Sequence, residues 1–384
     1  MPGVADLPLH GGHVPPWMLR IMKKLGDSII RYIIDERGVD AVIAMLSDPV
    51  WFQAFNNVIG MDWDSSGSTT VVLGILKTIT WNDPSLGFLV LGGKGSRMRL
   101  VPEEAERAEK ILGVDPYKIT RFSKLTARID SAFLQDGYDL YQHAVIVAKN
   151  GKILVVQQGM NTATKYARRY HIDRPSLMEP HSGVSGVPSK DLTLNATVEE
   201  SKEALKTYVE VINSEGKHLT KRLEEALSRI KRKATLIDFL EDQRRDAVNI
   251  SPPRYYRPMR ISPQLKRSLE RLGKVSLVNP EDLGLAPGVG PAVVRALALI
   301  ADIVYGVPTS TRDSVTHPPD PFIYAYAIGG KDGIPYRFDP RTAIFAYRYL
   351  VTAVEESKID RELKRKTLRR LRARLLRYLG NDLL

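Results

Sequence analysis

The chain has no cysteine in its 384 residues. That excludes disulfides, thiolate-bound zinc and cysteine nucleophiles. No apolar run approaches the roughly 18 residues that read as a membrane-spanning helix. The opening residues, MPGVADLPLHGGHVPPW, carry neither a basic n-region nor an apolar h-region, so they do not read as a secretory signal. A cytoplasmic protein without a membrane partner is expected. No Gly-x-Ser-x-Gly elbow occurs, and no Gly-x-Gly-x-x-Gly follows a strand. Gly92-Gly93-Lys94-Gly95 follows an apolar run but lacks the spacing of a Walker A loop, which argues against a P-loop ATPase. Lys94 remains a candidate point charge for a phosphate.

What is present is positive charge. Lys plus Arg number 56 against 44 Asp plus Glu, a net charge of +12. An excess of this size favours an anionic partner. The most informative stretch is EDLGLAPGVGPAVVRALALIADIVY, residues 281–305. Pro287 to Gly290 make a tight turn, and Pro291 stands where a helix best tolerates proline. Val293, Val294, Leu297, Leu299 and Ile300 then form an apolar side at helical spacing. The stretch resembles a helix-hairpin-helix motif. Glycines lacking Cβ and the positive end of a helix together suit a DNA backbone phosphate, a contact that positions without reading sequence. Gly288, Val289, Gly290 and Arg295 are the expected DNA-binding residues. A basic helix over 358–379 has ten Lys or Arg against two acids and leucines down one side, which reads equally as a second footprint on DNA or as the solvated basic face of a packed helix, and after these as a membrane-surface helix.

Length and composition suggest two or three parts. The expected fold class is α+β: a mixed α/β domain over 1–190, a helical arm over 191–250, and an all-α helix-hairpin-helix domain over 251–384. Within the first, 17–46 reads as one helix, 86–92 as a buried strand, and Pro102-Glu103 as a helix start. Lys149-Asn150-Gly151-Lys152 between two apolar runs signals a hairpin. Residues 161–170 read as a helix. Thr197 with Glu200 reads as a capping box that opens the arm.

Residues 121–181 concentrate chemistry-bearing side chains: Asp130, Asp136, Asp139, His143, Gln157, Gln158, Arg168, Arg169, His171, Glu179 and His181. Carboxylates and imidazoles at strand ends suit a divalent metal that polarises a phosphodiester and activates water. Oxygen-rich ligands favour Mg²⁺ or Mn²⁺. Asp130, Asp136 and Glu179 are the expected metal ligands. His143 or His181 is the expected general base or a further ligand, and Gln157 and Gln158 orient water or phosphate. Lys94 and Arg168 stabilise charge. His10, His13, Asp62 and Asp64 are weaker candidates on loops, each matched by a plain capping or turn role.

VADLPLHGGHVPPW, LSDPVWFQAFNNVIGMDWDSSGSTT, LGGKG, IDSAFLQDGYDLYQH and VVQQGMNTATKYARRYH together make the chain resemble the family called domain of unknown function 763. They span roughly residues 4–171, and the family label by itself implies no activity. VIVAKNGKILVVQQGMNTATKYARRYHI is also similar to the core of ParB-like and sulfiredoxin-like domains. There a strand, turn, strand, short turn and helix present a polar motif to a phosphate-bearing ligand. Gly159-Met160-Asn161-Thr162 stands where ParB-like domains commonly carry Gly-Glu-Arg-Arg. Related domains include nucleases, nucleotide switches and kinases. The leading expectation is therefore a metal-dependent DNA nuclease with DNA repair as its setting. The alternatives are a non-catalytic DNA-binding protein with a nucleotide-controlled clamp and a phosphotransferase.

Overall fold

The computed structural model describes residues 16–59, 67–188, 193–241 and 259–317, together with Val14 and parts of 348–369. His10, His13, Asp62, Asp64 and most of the basic 358–379 stretch lie outside the described residues. The fold is α+β. Four helices come first: α1 (Pro16–Arg37), α2 (Val39–Ser47), α3 (Pro49–Ile59) and α4 (Gly67–Asn82). The single helix expected over 17–46 is two, because Gly38 adopts φ +80° between them. Asp48 then caps α3 by accepting from Val50 N (2.7 Å).

Strand β1 (Phe88–Lys94) follows, then α5 (Val101–Leu112), with Pro102 in its first turn as expected, and α6 (Pro116–Arg128), capped by Asp115. Instead of ending cleanly, α6 runs into a π-turn over 129–133. Such a turn widens the helix by a residue and often marks a functional site; here it carries buried Asp130. Strands β2 (Leu134–Gln135), β3 (Asp139–Ala148), β4 (Ile153–Asn161), β5 (Tyr166–Ile172), β6 (His181–Ser185) and β7 (Leu194–Asn195) complete the strands. The 149–152 hairpin is borne out, with Gly151 at φ +84°. The helix expected over 161–170 is corrected: β4 runs to Asn161 and β5 starts at Tyr166, so the helix of the ParB-like pattern is absent there.

The main sheet is antiparallel throughout, in the order β1-β3-β4-β5-β6. Both faces are covered. α1 to α4 pack on one face, against Phe88, Val90, Ala144, Ile146 and Val156. α5 and α6 pack on the other, against Leu89, Leu91, Val145 and Val155. Burial on both faces is why these strands read as continuous apolar runs rather than alternating ones.

The second half is helical: α7 (Lys202–Glu215), α8 (Leu219–Glu241), α9 (Pro263–Leu272), α10 (Pro280–Leu285) and α11 (Pro291–Tyr305). The capping box expected at Thr197 is not formed. Its hydroxyl donates to Asn195 Oδ1 (2.7 Å), and α7 begins five residues later after a 3-10 turn. A capping box does form at α10, between Asn279 and Asp282. These helices share one apolar cluster with the sheet: Leu89 and Val145 join Leu125, Tyr208, Leu269 and Leu297. Residues on both sides of the boundary expected at 190 therefore share a core, and the helical hairpin is packed on the α6 face. No described helix is long and apolar enough to cross a membrane.

Candidate functional site

One end of the sheet is polar through its whole thickness. Gln157, Gln158, Arg168, Arg169 and His171 are all fully buried. Polar groups this deep need partners, and a cluster of them is a functional-site candidate.

On the α6 face nearly all the partners are present; the buried Arg168 Nε has none among the described residues. Gln157 Nε2 donates to Asp130 Oδ2 (2.6 Å) and Thr126 O (3.1 Å), which leaves its Oε1 to accept from His143 Nδ1 (2.6 Å). His143 is therefore the Nδ1–H tautomer, and its Nε2 accepts from Ser123 Oγ (2.7 Å). Burial pushes the His143 imidazole down to about 4, partly opposed by Gln157, so it is neutral near pH 7. His181 Nε2 lies 2.7 Å from the second oxygen of Asp130. Beside this chain, Arg168 donates to Asp136 Oδ2 (2.8 Å) and Asp313 Oδ2 (3.0 Å). Tyr170 Oη donates to the same Asp136 oxygen (2.7 Å), and Tyr138 N donates to the other (3.1 Å). Burial pushes the Asp136 carboxyl up, while first the Arg168 charge and then these hydrogen bonds pull it back.

On the α3–α4 face a different row crosses the sheet. Lys94 pairs in register with Gln142, Gln142 with Gln158, Gln158 with Arg169, and Arg169 with Ser185. Above it, Arg169 Nη1 donates to Gln53 Oε1 of α3 (3.1 Å) and Thr69 Oγ1 of α4 (3.4 Å), and its guanidinium stacks over Phe52 at 4.7 Å. Arg169 Nε donates to His171 Nε2 (3.1 Å), whose Nδ1 donates to Leu46 O (2.9 Å). Burial, then the Arg169 charge, holds His171 well below its ordinary range. Gln158 donates to the Tyr141 hydroxyl. Here satisfaction is incomplete: Asn56 Oδ1, Ser68 Oγ, Gln142 Oε1 and Ser185 Oγ are buried with no hydrogen-bond partner among the described residues.

The expected site residues are thus divided. His143, Gln157 and His181 join Asp130 in one network, and Arg168 joins Asp136 in the next. Gln158 and Lys94 belong to the opposite face; Lys94 is exposed at the row's end, its Nζ 5.8 Å from the Tyr141 ring centroid. The three expected metal ligands are not brought together. Asp130 and Asp136 have both oxygens occupied by donors. Glu179 is exposed, at φ +47°, and accepts from Glu199 N (3.1 Å). No group of three or more His, Asp or Glu suited to a metal occurs among the described residues. Sequence reasoning missed Ser123, Gln53, Asn56 and Gln142. The signals were present: Gln53 and Asn56 are spaced by three in a helix whose other residues, Asn57 apart, are apolar, and the Asn150-Gly151 hairpin puts Gln142 opposite Gln158.

The hairpin turn lies beside the α6-face networks: Pro291 and Arg295 line one small pocket with Gln135, Asp136 and Tyr138. Gly288 is exposed at φ +82°, and Gly290 precedes α11 in extended conformation. Val289 is buried and pins the turn to the core. Arg295, one turn into α11, donates from Nε to Gln135 Oε1 (3.3 Å), and Gln135 Nε2 donates to Pro291 O (2.9 Å). The turn is therefore braced against the strand part of the fold.

The family model described as protein of unknown function (DUF763) matches residues 3–338. The chain belongs to that family. The match extends well beyond residues 4–171 and takes in the hairpin turn and Arg295, so these are part of the family's common chain. No curated protein and no solved structure matches significantly.

Proposed function

We propose that the protein binds the DNA backbone without sequence preference, through the turn at 286–291. One observation carries this reading. Gly288 stands exposed and Gly290 half-buried at the head of a 15-residue helix, with the turn anchored by buried Val289 and braced by Gln135. A rigid helix start with glycines at the surface presents backbone N–H groups and a positive dipole end to a phosphate at no reorganisation cost. The net charge of +12 supports the same partner. Unrelated duplex sequences should bind with equal affinity, measured by fluorescence anisotropy. Strong preference for one sequence, or no binding at low salt, would remove this reading.

DNA cleavage is a second reading, favoured by the His181–Asp130 pair. A carboxylate holding one imidazole nitrogen leaves the other to accept a proton from water, which is how a general base is oriented. Mg²⁺ or Mn²⁺ on Asp130, Asp136 and Glu179 does not fit, since both oxygens of Asp130 and of Asp136 are taken by protein donors and the three do not form a ligand group among the described residues, and no step is routed through a metal there. Labelled single-stranded, duplex and flap DNA left intact, with either ion supplied, would sink this second reading while leaving the first standing.

A further inference from the structure

At the far end of the sheet from the polar row, beside the 149–152 hairpin, lies a cleft of about 660 Å³. Its size and apolar floor fall in the range of small-molecule sites. The floor is Ile43 and Ala44 of α2, Phe122 and Leu125 of α6, Ile153 of β4, and Pro175. Charges stand only at the rim, and they are unequally committed. Asp40 is neutralised by Lys152 (2.6 Å) and Asn150. Glu281 accepts from Ser176 Oγ (3.1 Å) and Leu177 N (3.2 Å). Asp173 has Arg174 at 3.8 Å. Lys118 and Arg121 are exposed, and their side chains make no hydrogen bond or ion pair among the described residues. Three residues apart on α6, they share one helix face over the cleft.

We propose that this cleft binds an amphipathic anion: an apolar chain on the floor, with a carboxylate or phosphate head between Lys118 and Arg121. Among the rim charges only Lys118 and Arg121 have no side-chain partner among the described residues, while Glu281 keeps its negative charge on the α10 side because its donors are neutral. The floor is mostly apolar, which suits a hydrocarbon chain better than a polar base or sugar. The chain's own 358–379 stretch has the wrong sign to be the occupant. The site is independent of the DNA-binding reading.

Isothermal titration of the full chain with octanoate, octyl phosphate and octyltrimethylammonium tests this. Saturable one-to-one binding of an anion is expected, with none of the cation; the tighter anion identifies the head group. Arg121→Glu should weaken that binding about tenfold or more, since it reverses one rim charge. Ala44→Trp should abolish it by filling the floor; Ala44 is exposed, so the fold accommodates the ring. Absence of saturable anion binding, equal binding of the cation, or both variants binding as the wild type would overturn the proposal.

Discussion

The two faces of the sheet's polar end are built from similar residues and solved differently. On the α6 face, Ser123, His143, Gln157, Asp130 and His181 form an unbroken chain of donors and acceptors, and Asp136 has both oxygens engaged, although Arg168 Nε is buried without a partner among the described residues. On the α3–α4 face, Asn56, Ser68, Gln142 and Ser185 each keep a buried polar atom without a partner among the described residues. A buried network with nearly all its groups paired rigidifies and specifies a core, whereas one with several unpaired atoms lowers stability and needs a separate reason to persist. The difference assigns scaffolding to the first face, with His181 at its less buried end. It makes the second face the side where a bound group would gain most.

Substitutions on either face sharpen that contrast. The largest effect is expected from Arg168→Met, which leaves the Asp136 carboxylate buried without its charged partner; chemical denaturation should show a loss of about 3–5 kcal/mol. Next comes acid. His143 is held at about 4 against an ordinary 6.5, and its folded value is the depressed one, so its contribution is present above pH 6.5 and lost as the pH falls toward 4. His171 and His317 are depressed by burial and add in the same direction, while Asp136, pushed up, offsets part of the loss. Stability measured across that window should fall by on the order of 3 kcal/mol for His143 alone, and His143→Gln should flatten the dependence. An unchanged midpoint from pH 7 to 4 would break this account of the scaffold face. The smallest effect is expected from Gln142→Leu. Its Oε1 has no partner to lose among the described residues, so stability should stay within about 1 kcal/mol of wild type; a loss as large as that of Arg168→Met would erase the distinction between the faces.

Local chemistry made much of this legible in advance. The Asn150-Gly151 hairpin, the Pro102 helix start and the Pro287–Pro291 turn each follow from one or two residues with restricted backbones, and each is observed. Strand β5 was not legible. Tyr166–Ile172 places Arg168, Arg169 and His171 in the interior, and adjacent arginines read as a solvated helix face unless their partners are known. Those partners, Asp136, Asp313, Gln53 and Thr69, come from 32 to 145 positions away. The same distance hid the division of the site: density of acids and imidazoles in 121–181 is a sequence property, but the face each occupies depends on strand register. Asp130 and Asp136 were grouped by proximity in sequence, and the π-turn with the short β2 strand sends them into separate networks.

The most direct test of DNA-backbone binding at the turn is the salt dependence of duplex affinity for the wild type and Gly290→Glu, measured side by side. A Cβ at Gly290 meets nothing within 4 Å among the described residues and its φ of −139° suits any residue, so the substitution adds negative charge without disturbing the fold. The wild type should lose affinity steeply as salt rises, through release of counterions from the phosphates it neutralises. Gly290→Glu should bind more weakly, with a log–log slope shallower by about one for each phosphate it no longer neutralises. Equal affinity and equal slope in a variant with unchanged stability would contradict the account and leave the turn as a connection between two packed helices.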